Sequence, residues 1–213
     1  DRVEQLTGTV AADAAVRTRM SAIDQKQYDR VAASGTVDVA GLTLKARPAS
    51  PGDKPTPPLA IQQASLRLAP ERAQLTRFTG TVGSSDLQAT GSIDNLVAYM
   101  FRDDTLKGSA TVHSRRFDLD EWRSGEGDLQ IIPVPPKIDF AINATVDQLS
   151  YNKVNMTGAT GKLRIKNQRA TLQDFRMNAL GGQLGVNGFY ETTNPLYRGW
   201  SRVLPDYIAI GAA

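Results

Sequence analysis

The sequence predicts a mainly β protein built from repeated antiparallel strands, with one or two short helices. Three observations predict this fold: apolar and polar residues alternate along short segments, one β unit recurs along the chain, and turn residues separate consecutive segments. Because successive side chains of a strand point to opposite faces, such segments bury one face of a sheet.

Composition excludes most enzyme chemistry before any motif is considered. The 213 residues include no cysteine and one histidine, which removes disulfides, thiolate sites and nearly all histidine-based triads. The 25 basic and 22 acidic side chains give a net charge of +3, too small to indicate nucleic-acid binding. We therefore expect a binding or structural domain that is not an enzyme, uses no cofactor and has no nucleic-acid partner.

The strands follow from local alternation. Residues 138–146 are apolar at every second position, and shorter segments with the same pattern continue from 163 to 190, with Asn167-Gln168 and Gly181-Gly182 as intervening turns. Two other segments, 20–31 and 94–103, have the spacing of helices. We expect both helices to cover an end or an edge of the sheet.

A repeat joins these strands into larger units. A shift of 97 residues aligns 66–91 with 163–188 without a gap, whereas 36–38 match 145–147 at a shift of 109. The difference predicts a 12-residue insertion in the first copy, which the proline-rich segment 48–58 supplies. The predicted organisation is a first β repeat unit at 1–107, a second at 108–195 and an atypical tail at 196–213.

Three motifs that suggest chemistry have simpler interpretations. Residues 158–163 have some likeness to a phosphate loop, but the spacing is two residues short and Leu163 replaces the hydroxyl that binds magnesium, so a hairpin turn is expected. Asp118, Asp120 and Glu121 are expected on the solvent face of a strand. His113 is expected on the surface, pointing away from the apolar face.

Residues 91–195 also contain a characteristic run of motifs. They are Gly91-Ser92-Ile93-Asp94-Asn95-Leu96, Tyr99-Met100-Phe101, Asp104-Thr105-Leu106-Lys107-Gly108, Phe117-Asp118-Leu119-Asp120-Glu121, Ile132-Pro133-Val134-Pro135 and Leu180-Gly181-Gly182-Gln183-Leu184. In order and spacing this run resembles the C-terminal region of AsmA-family proteins, in the form found in Bacteroidota.

The resemblance implies a protein of the Gram-negative cell envelope, with its body in the periplasm and an inner-membrane anchor outside these residues. Related bridge-type lipid-transfer proteins are thought to carry phospholipid acyl chains along an apolar groove towards the outer membrane. The implied partners are a phospholipid or other acyl lipid, the membrane and further envelope proteins. The resemblance also implies that the strands form a curled, groove-like sheet, shaped like a taco or an open barrel. It implies no catalytic residue and no metal site.

The candidate groove residues are the apolar members of the alternating strands. They are Leu66, Leu68, Leu75, Phe78, Ile138, Phe140, Ile142, Val146, Leu163, Ile165, Leu172, Phe175, Leu184 and Val186. The same residues would equally form the closed core of a β-sandwich, and the pattern alone does not separate the two arrangements. An alternative function is that of a non-catalytic structural or assembly factor for outer-membrane protein biogenesis, which offers its sheet edges to partners.

Overall fold

The computed structural model describes residues 3–17, 32–46, 57–69, 72–96, 99, 104–124, 128–129, 134, 136–191 and 207–212. Most of these residues lie in strands. The strands are β1 Val3–Arg17, β2 Ala32–Ala46, β3 Leu59–Ala69, β4 Arg72–Val82, β5 Ser85–Ile93, β6 Leu106–Asp118, β7 Arg123–Ser124, β8 Asp128–Leu129, β9 Ile138–Tyr151, β10 Val154–Lys166, β11 Arg169–Ala179, β12 Gly182–Glu191 and β13 Tyr207–Ala212.

Eleven strands form a single sheet in the order β1-β2-β3-β4-β5-β6-β9-β10-β11-β12-β13, and β7 pairs only with β8 in the part of the chain that is described. The sheet is not closed into a barrel, so β1 and β13 are its edges among the described strands. The prediction of a mainly β protein built from repeated, mostly antiparallel strands in an open sheet is therefore confirmed.

The sheet consists of two antiparallel meanders joined by one parallel pair. Strands β1 to β6 pair in sequence order, as do β9 to β13. Between the meanders, β6 and β9 run parallel, from the pair Leu106 and Ile138 to the pair Asp118 and Ser150. Between two adjacent parallel strands, the chain must return from the end of the first strand to the end of the sheet at which that strand began. The connection here is residues 119–137.

The 97-residue repeat is visible in the pairing of the strands. All eight residue pairs between β4 and β5 recur between β11 and β12 at a shift of 97. The bulge between Leu75 and Phe78 likewise recurs between Leu172 and Phe175. The repeated-strand character is confirmed, while the division into units at 1–107 and 108–195 stays a prediction, with its boundary inside β6.

The shift of 109 inferred for the start of the repeat does not match the pairing. Val37 pairs with Leu66, and Ile142 pairs with Leu163, so pairing relates Val37 to Ile142 at a shift of 105. Because four is an even number, the two alignments place the same residues on the same face, and the short match at 36–38 could not distinguish them. Of the proline-rich segment 48–58, only residues 57 and 58 lie among those described.

The two predicted helices are only partly covered. Segment 20–31 lies outside the described residues, and 94–103 is represented by residues 94–96 and 99. There, the Tyr99 N–H donates to the Asn95 carbonyl oxygen at 2.9 Å, as in a helical turn. The strand expected to carry Asp118, Asp120 and Glu121 ends at Asp118, because 119–122 form a 3-10 helix, so that prediction is wrong for Asp120 and Glu121. The tail 196–213 includes β13, which pairs with β12.

Candidate functional site: an apolar sheet face

One row of residues runs across the whole sheet without a polar side chain among those described. Residues that pair across neighbouring strands point to the same face, so the pairing defines which side chains share a face. This central row is Ala12, Val37, Leu66, Leu75, Gly91, Ala110, Ile142, Leu163, Leu172 and Gly188, whose pairing continues to Ile208 in β13.

Parallel rows on either side of the central row have the same character. One row is Ala14, Gly35, Leu68, Ala73, Ile93, Gly108, Phe140, Ile165 and Ala170, whose pairing continues to Tyr190 in β12. The other is Val10, Val39, Ala64, Phe78, Ala89, Val112, Ala144 and Gly161. We call the surface formed by the three rows the apolar face.

The opposite face of the sheet is polar. Its middle row is Thr36, Arg67, Gln74, Ser92, Ser109, Ala141, Arg164 and Thr171. Ion pairs cross between its strands, with Arg164 bound to Asp139 and Arg169 to Glu191. The sheet is therefore amphipathic from β2 to β11, and in β12 the polar row continues to the half-buried Phe189.

The structure brings all fourteen predicted groove residues to the apolar side of the sheet, and every one of them is half-buried. The described residues contain no second large sheet that could pack on this side, only the two-residue strands β7 and β8. A closed sandwich core is therefore not formed within the described part of the chain. Half-burial without a covering layer is the expected state of an open apolar surface.

Glycines and aromatic rings shape the apolar face. The Phe140 ring lies over Gly108, where an added Cβ would be 2.5 Å from the ring, and the Phe175 ring lies over Gly161. At Gly91 a Cβ would collide with the Ser109 carbonyl oxygen of the neighbouring strand. Glycines at such positions allow strands to approach closely on one side, and this bends a sheet towards that side.

A small buried cluster lies at one end of this face and was missed from the sequence. Met156, Ala159, Met177 and Ala179 are buried, with Leu149 and Tyr151 among the residues packed around them. The available signal was the two methionines in otherwise alternating strands. Near Met156, however, the alternation is interrupted by Gly158, whose φ of 63° belongs to an irregular position in β10.

The motifs that suggested chemistry have structural roles. Segment 158–163 lies within β10 and is not a hairpin turn, so that interpretation is wrong. His113 lies on the polar face, where its Nε2 is 3.0 Å from Asp147 Oδ1. In the described ranges no group of three histidine, aspartate or glutamate residues could hold a metal ion.

The acidic residues expected on a solvent face instead fasten two turns. The Ser84 N–H donates to the Glu121 carboxylate at 3.0 Å, and the Asn152 N–H donates to Asp120 Oδ1 at 2.9 Å. Asp118, Asp120 and Glu121 are all half-buried. Strand β6 ends at Asp118, so the side chains of Asp120 and Glu121 do not alternate with it and can point towards the β9–β10 and β4–β5 turns.

Comparison with known proteins gives no relative: no family model, no curated protein and no solved structure matches this chain. The resemblance of residues 91–195 to the AsmA family therefore stays a prediction. Within the described residues, no helix is both long enough and apolar enough to cross a membrane.

Proposed function

We propose that this protein shelters phospholipid acyl chains on its apolar face, for transport between the inner and outer membranes and for maintenance of the outer membrane. In this proposal it is a periplasmic, non-catalytic segment of an AsmA-like envelope protein that is anchored in the inner membrane outside these residues. The observation that carries the proposal is the continuity of the three apolar rows.

An acyl chain fits this surface because it needs no polar contact. Burial of each CH₂ contributes about 0.8 kcal/mol, so contact with leucine, isoleucine and phenylalanine side chains is enough to hold it. Eleven strands spaced about 4.8 Å apart give rows roughly 50 Å long. An acyl chain spans half of a hydrocarbon core, about 15 Å, and therefore crosses only about three strands.

Two properties follow from this geometry. Several acyl chains can lie end to end along one row. This arrangement is expected of a conduit and not of a single closed pocket. The described side chains of the three rows are all apolar, so these rows offer no hydrogen bond that would distinguish one lipid class from another. We expect binding that tolerates many lipids, with each headgroup remaining in water.

Photo-crosslinking from the apolar face tests the proposal. A photoreactive residue at Phe140 should yield acyl-lipid adducts, and mass spectrometry after organic extraction should find lipid that co-purifies with the protein. Asn143 is the matched control, because it lies on the same strand, on the polar face, and is exposed. Absence of both the co-purifying lipid and the Phe140 adduct would overturn the proposal.

The alternative, an assembly factor for outer-membrane proteins, is favoured by one observation at the β1 edge. This edge strand is 15 residues long, and its Leu6 and Val10 side chains are 61% and 59% exposed. An edge of this kind can accept a strand from a partner protein. A photoreactive residue at Leu6 distinguishes the functions, since the alternative requires a protein adduct there and acyl-chain transport does not.

A further inference from the structure

The turn between β11 and β12 presents an unusual leucine. Leu180 is 88% exposed, more than any other large hydrophobic side chain among the described residues. Its φ of 52° lies in the left-handed region, which a leucine side chain disfavours. This turn has two residues, Leu180 and Gly181, between paired Ala179 and Gly182.

At the first of their two positions, the other described two-residue turns of the sheet use residues that this backbone favours, whereas Lys153 and Gln168 adopt a similar φ at the second position. Gly83, Asn152 and Asn167 occupy the position that Leu180 occupies here, each with a φ between 50° and 60°. Asparagine and glycine adopt this conformation readily, which explains their use in tight hairpins. Gly83 is moreover the counterpart of Leu180 at the 97-residue shift. A leucine here is favoured by neither the turn nor packing, which points to a contact outside the chain.

The surroundings of Leu180 indicate what it contacts. Ala179, the residue before it, belongs to the buried cluster at this end of the apolar face. The neighbouring β9–β10 turn carries exposed Lys153 at its tip. The two turns are two strand spacings, or about 10 Å, apart across the sheet. Asp120, the acid at that turn, accepts a hydrogen bond from the Asn152 N–H.

We infer that Leu180 inserts into the surface of a phospholipid bilayer and docks this end of the sheet there. A specific protein interface buries on the order of 1,000 Å² or more, which one hairpin tip does not supply. A bilayer surface accepts a single protruding leucine with a lysine at headgroup level and requires no matching shape. This inference rests on the proposed function, because docking would bring the end of the apolar face to the membrane from which lipid enters or leaves.

The absence of cysteine makes a direct test simple. The variant Leu180→Cys is labelled with an environment-sensitive fluorophore and mixed with vesicles of phosphatidylcholine and phosphatidylglycerol. We expect a blue shift and a rise in emission. Ser84→Cys is the matched control, because Ser84 is exposed on the counterpart turn five strand spacings away. An unchanged spectrum at position 180, or equal shifts at both positions, overturns the inference.

A second variant separates docking from folding. Leu180→Asn removes the apolar side chain and places a favoured residue in the left-handed position, so the melting temperature should stay equal or rise. Vesicle flotation should show the bound fraction falling about five- to tenfold, the effect of losing one partly inserted leucine. Flotation equal to that of the wild type contradicts docking through Leu180.

The same variant distinguishes this inference from the proposed function. With fatty acid supplied below its micellar concentration, Leu180→Asn should still give the Phe140 adduct, because the apolar face is intact. Docking without any Phe140 adduct would contradict acyl-chain sheltering and leave docking supported. An adduct without docking would contradict only the role of Leu180.

Discussion

The two copies of the repeat, β3 to β5 and β10 to β12, agree at one end of the sheet and differ at the other. Where β3 meets β4, Arg72 binds Asp94 at 2.8 Å, and the equivalent Arg169 binds Glu191 at 2.7 Å. Both partners of each ion pair are related by the same shift of 97 residues. At the opposite end, the turn residue Gly83 is replaced by Leu180.

The difference shows which properties of the repeat are shared. Strand pairing, the bulge and the ion pair are common to both copies, whereas side chains near the β4–β5 and β11–β12 turns are not. Asp86 corresponds to Gln183, and Gly80 corresponds to the buried Met177. The two copies therefore share a backbone but differ at the same turn. In the first copy, polar contacts with the 3-10 helix and β6 hold the turn, and in the second copy an apolar cluster lies beside it.

The largest effect is expected at Asp86. Its carboxylate accepts hydrogen bonds from the N–H groups of Arg115 and Arg116 and from the Arg115 guanidinium, at 2.9 to 3.1 Å. Asp86→Ala should lower the free energy of unfolding by about 3 kcal/mol, because three donors lose a charged acceptor. The matched change Gln183→Ala, at an exposed position, should cost less than about 0.5 kcal/mol. Equal losses in urea unfolding would contradict the difference between the copies.

The next effect concerns the ring of Phe175. A Cβ at Gly161 would overlap this ring, so Gly161→Ala should destabilise the second copy by about 2 kcal/mol through overpacking. Adding Phe175→Leu should recover much of the loss in denaturant unfolding, because the smaller side chain can move aside. If the single variant is as stable as the wild type, the ring does not lie on Gly161. The first copy already has an alanine, Ala64, at the equivalent position.

A smaller effect is expected at the shared ion pair. Arg72 is largely exposed, so Arg72→Ala should cost only about 0.3 kcal/mol. Arg169 also lies 4.4 Å from the centre of the Phe189 ring, and Arg169→Ala should cost about 1 kcal/mol. Thermal unfolding in low and high salt should show that Arg169→Ala retains most of its effect when charges are screened. A larger loss at Arg72 would contradict this ranking.

The smallest effect is expected in the pH dependence. Burial raises the pKa of Asp86, but hydrogen bonds from Arg116 and Arg115 outweigh it and hold the pKa below its ordinary value of 3.8. The unfolded chain therefore binds the proton first, and the stabilisation by ionised Asp86 is present above pH 3.8 and is lost as the pH falls further. The difference in unfolding free energy between the wild type and Asp86→Asn should shrink only below about pH 4.

The sequence was sufficient to predict the strands, their repeat and their apolar side. Period-two alternation and a gap-free repeat can both be recognised without knowing which strands pair. The alternation alone could not separate the open sheet from a closed sandwich, because Ile142 and Leu163 alternate identically in either arrangement. The exposure and the left-handed φ of Leu180 could not be predicted from the sequence either, because both depend on the turn that forms around this residue. The roles of Asp120 and Glu121 depend on where β6 ends.

The parallel pairing of β6 with β9 has a consequence for how the chain folds. Two-residue turns join β3 to β4, β4 to β5 and each neighbouring pair from β9 to β12, so contacts near these turns form between residues close in sequence, and such structure assembles quickly. Every β6–β9 pair instead joins residues 32 positions apart through the return connection 119–137. We expect the hairpins β3–β5 and β9–β12 to form before the parallel seam between β6 and β9 closes, which makes that closure a slow step of refolding.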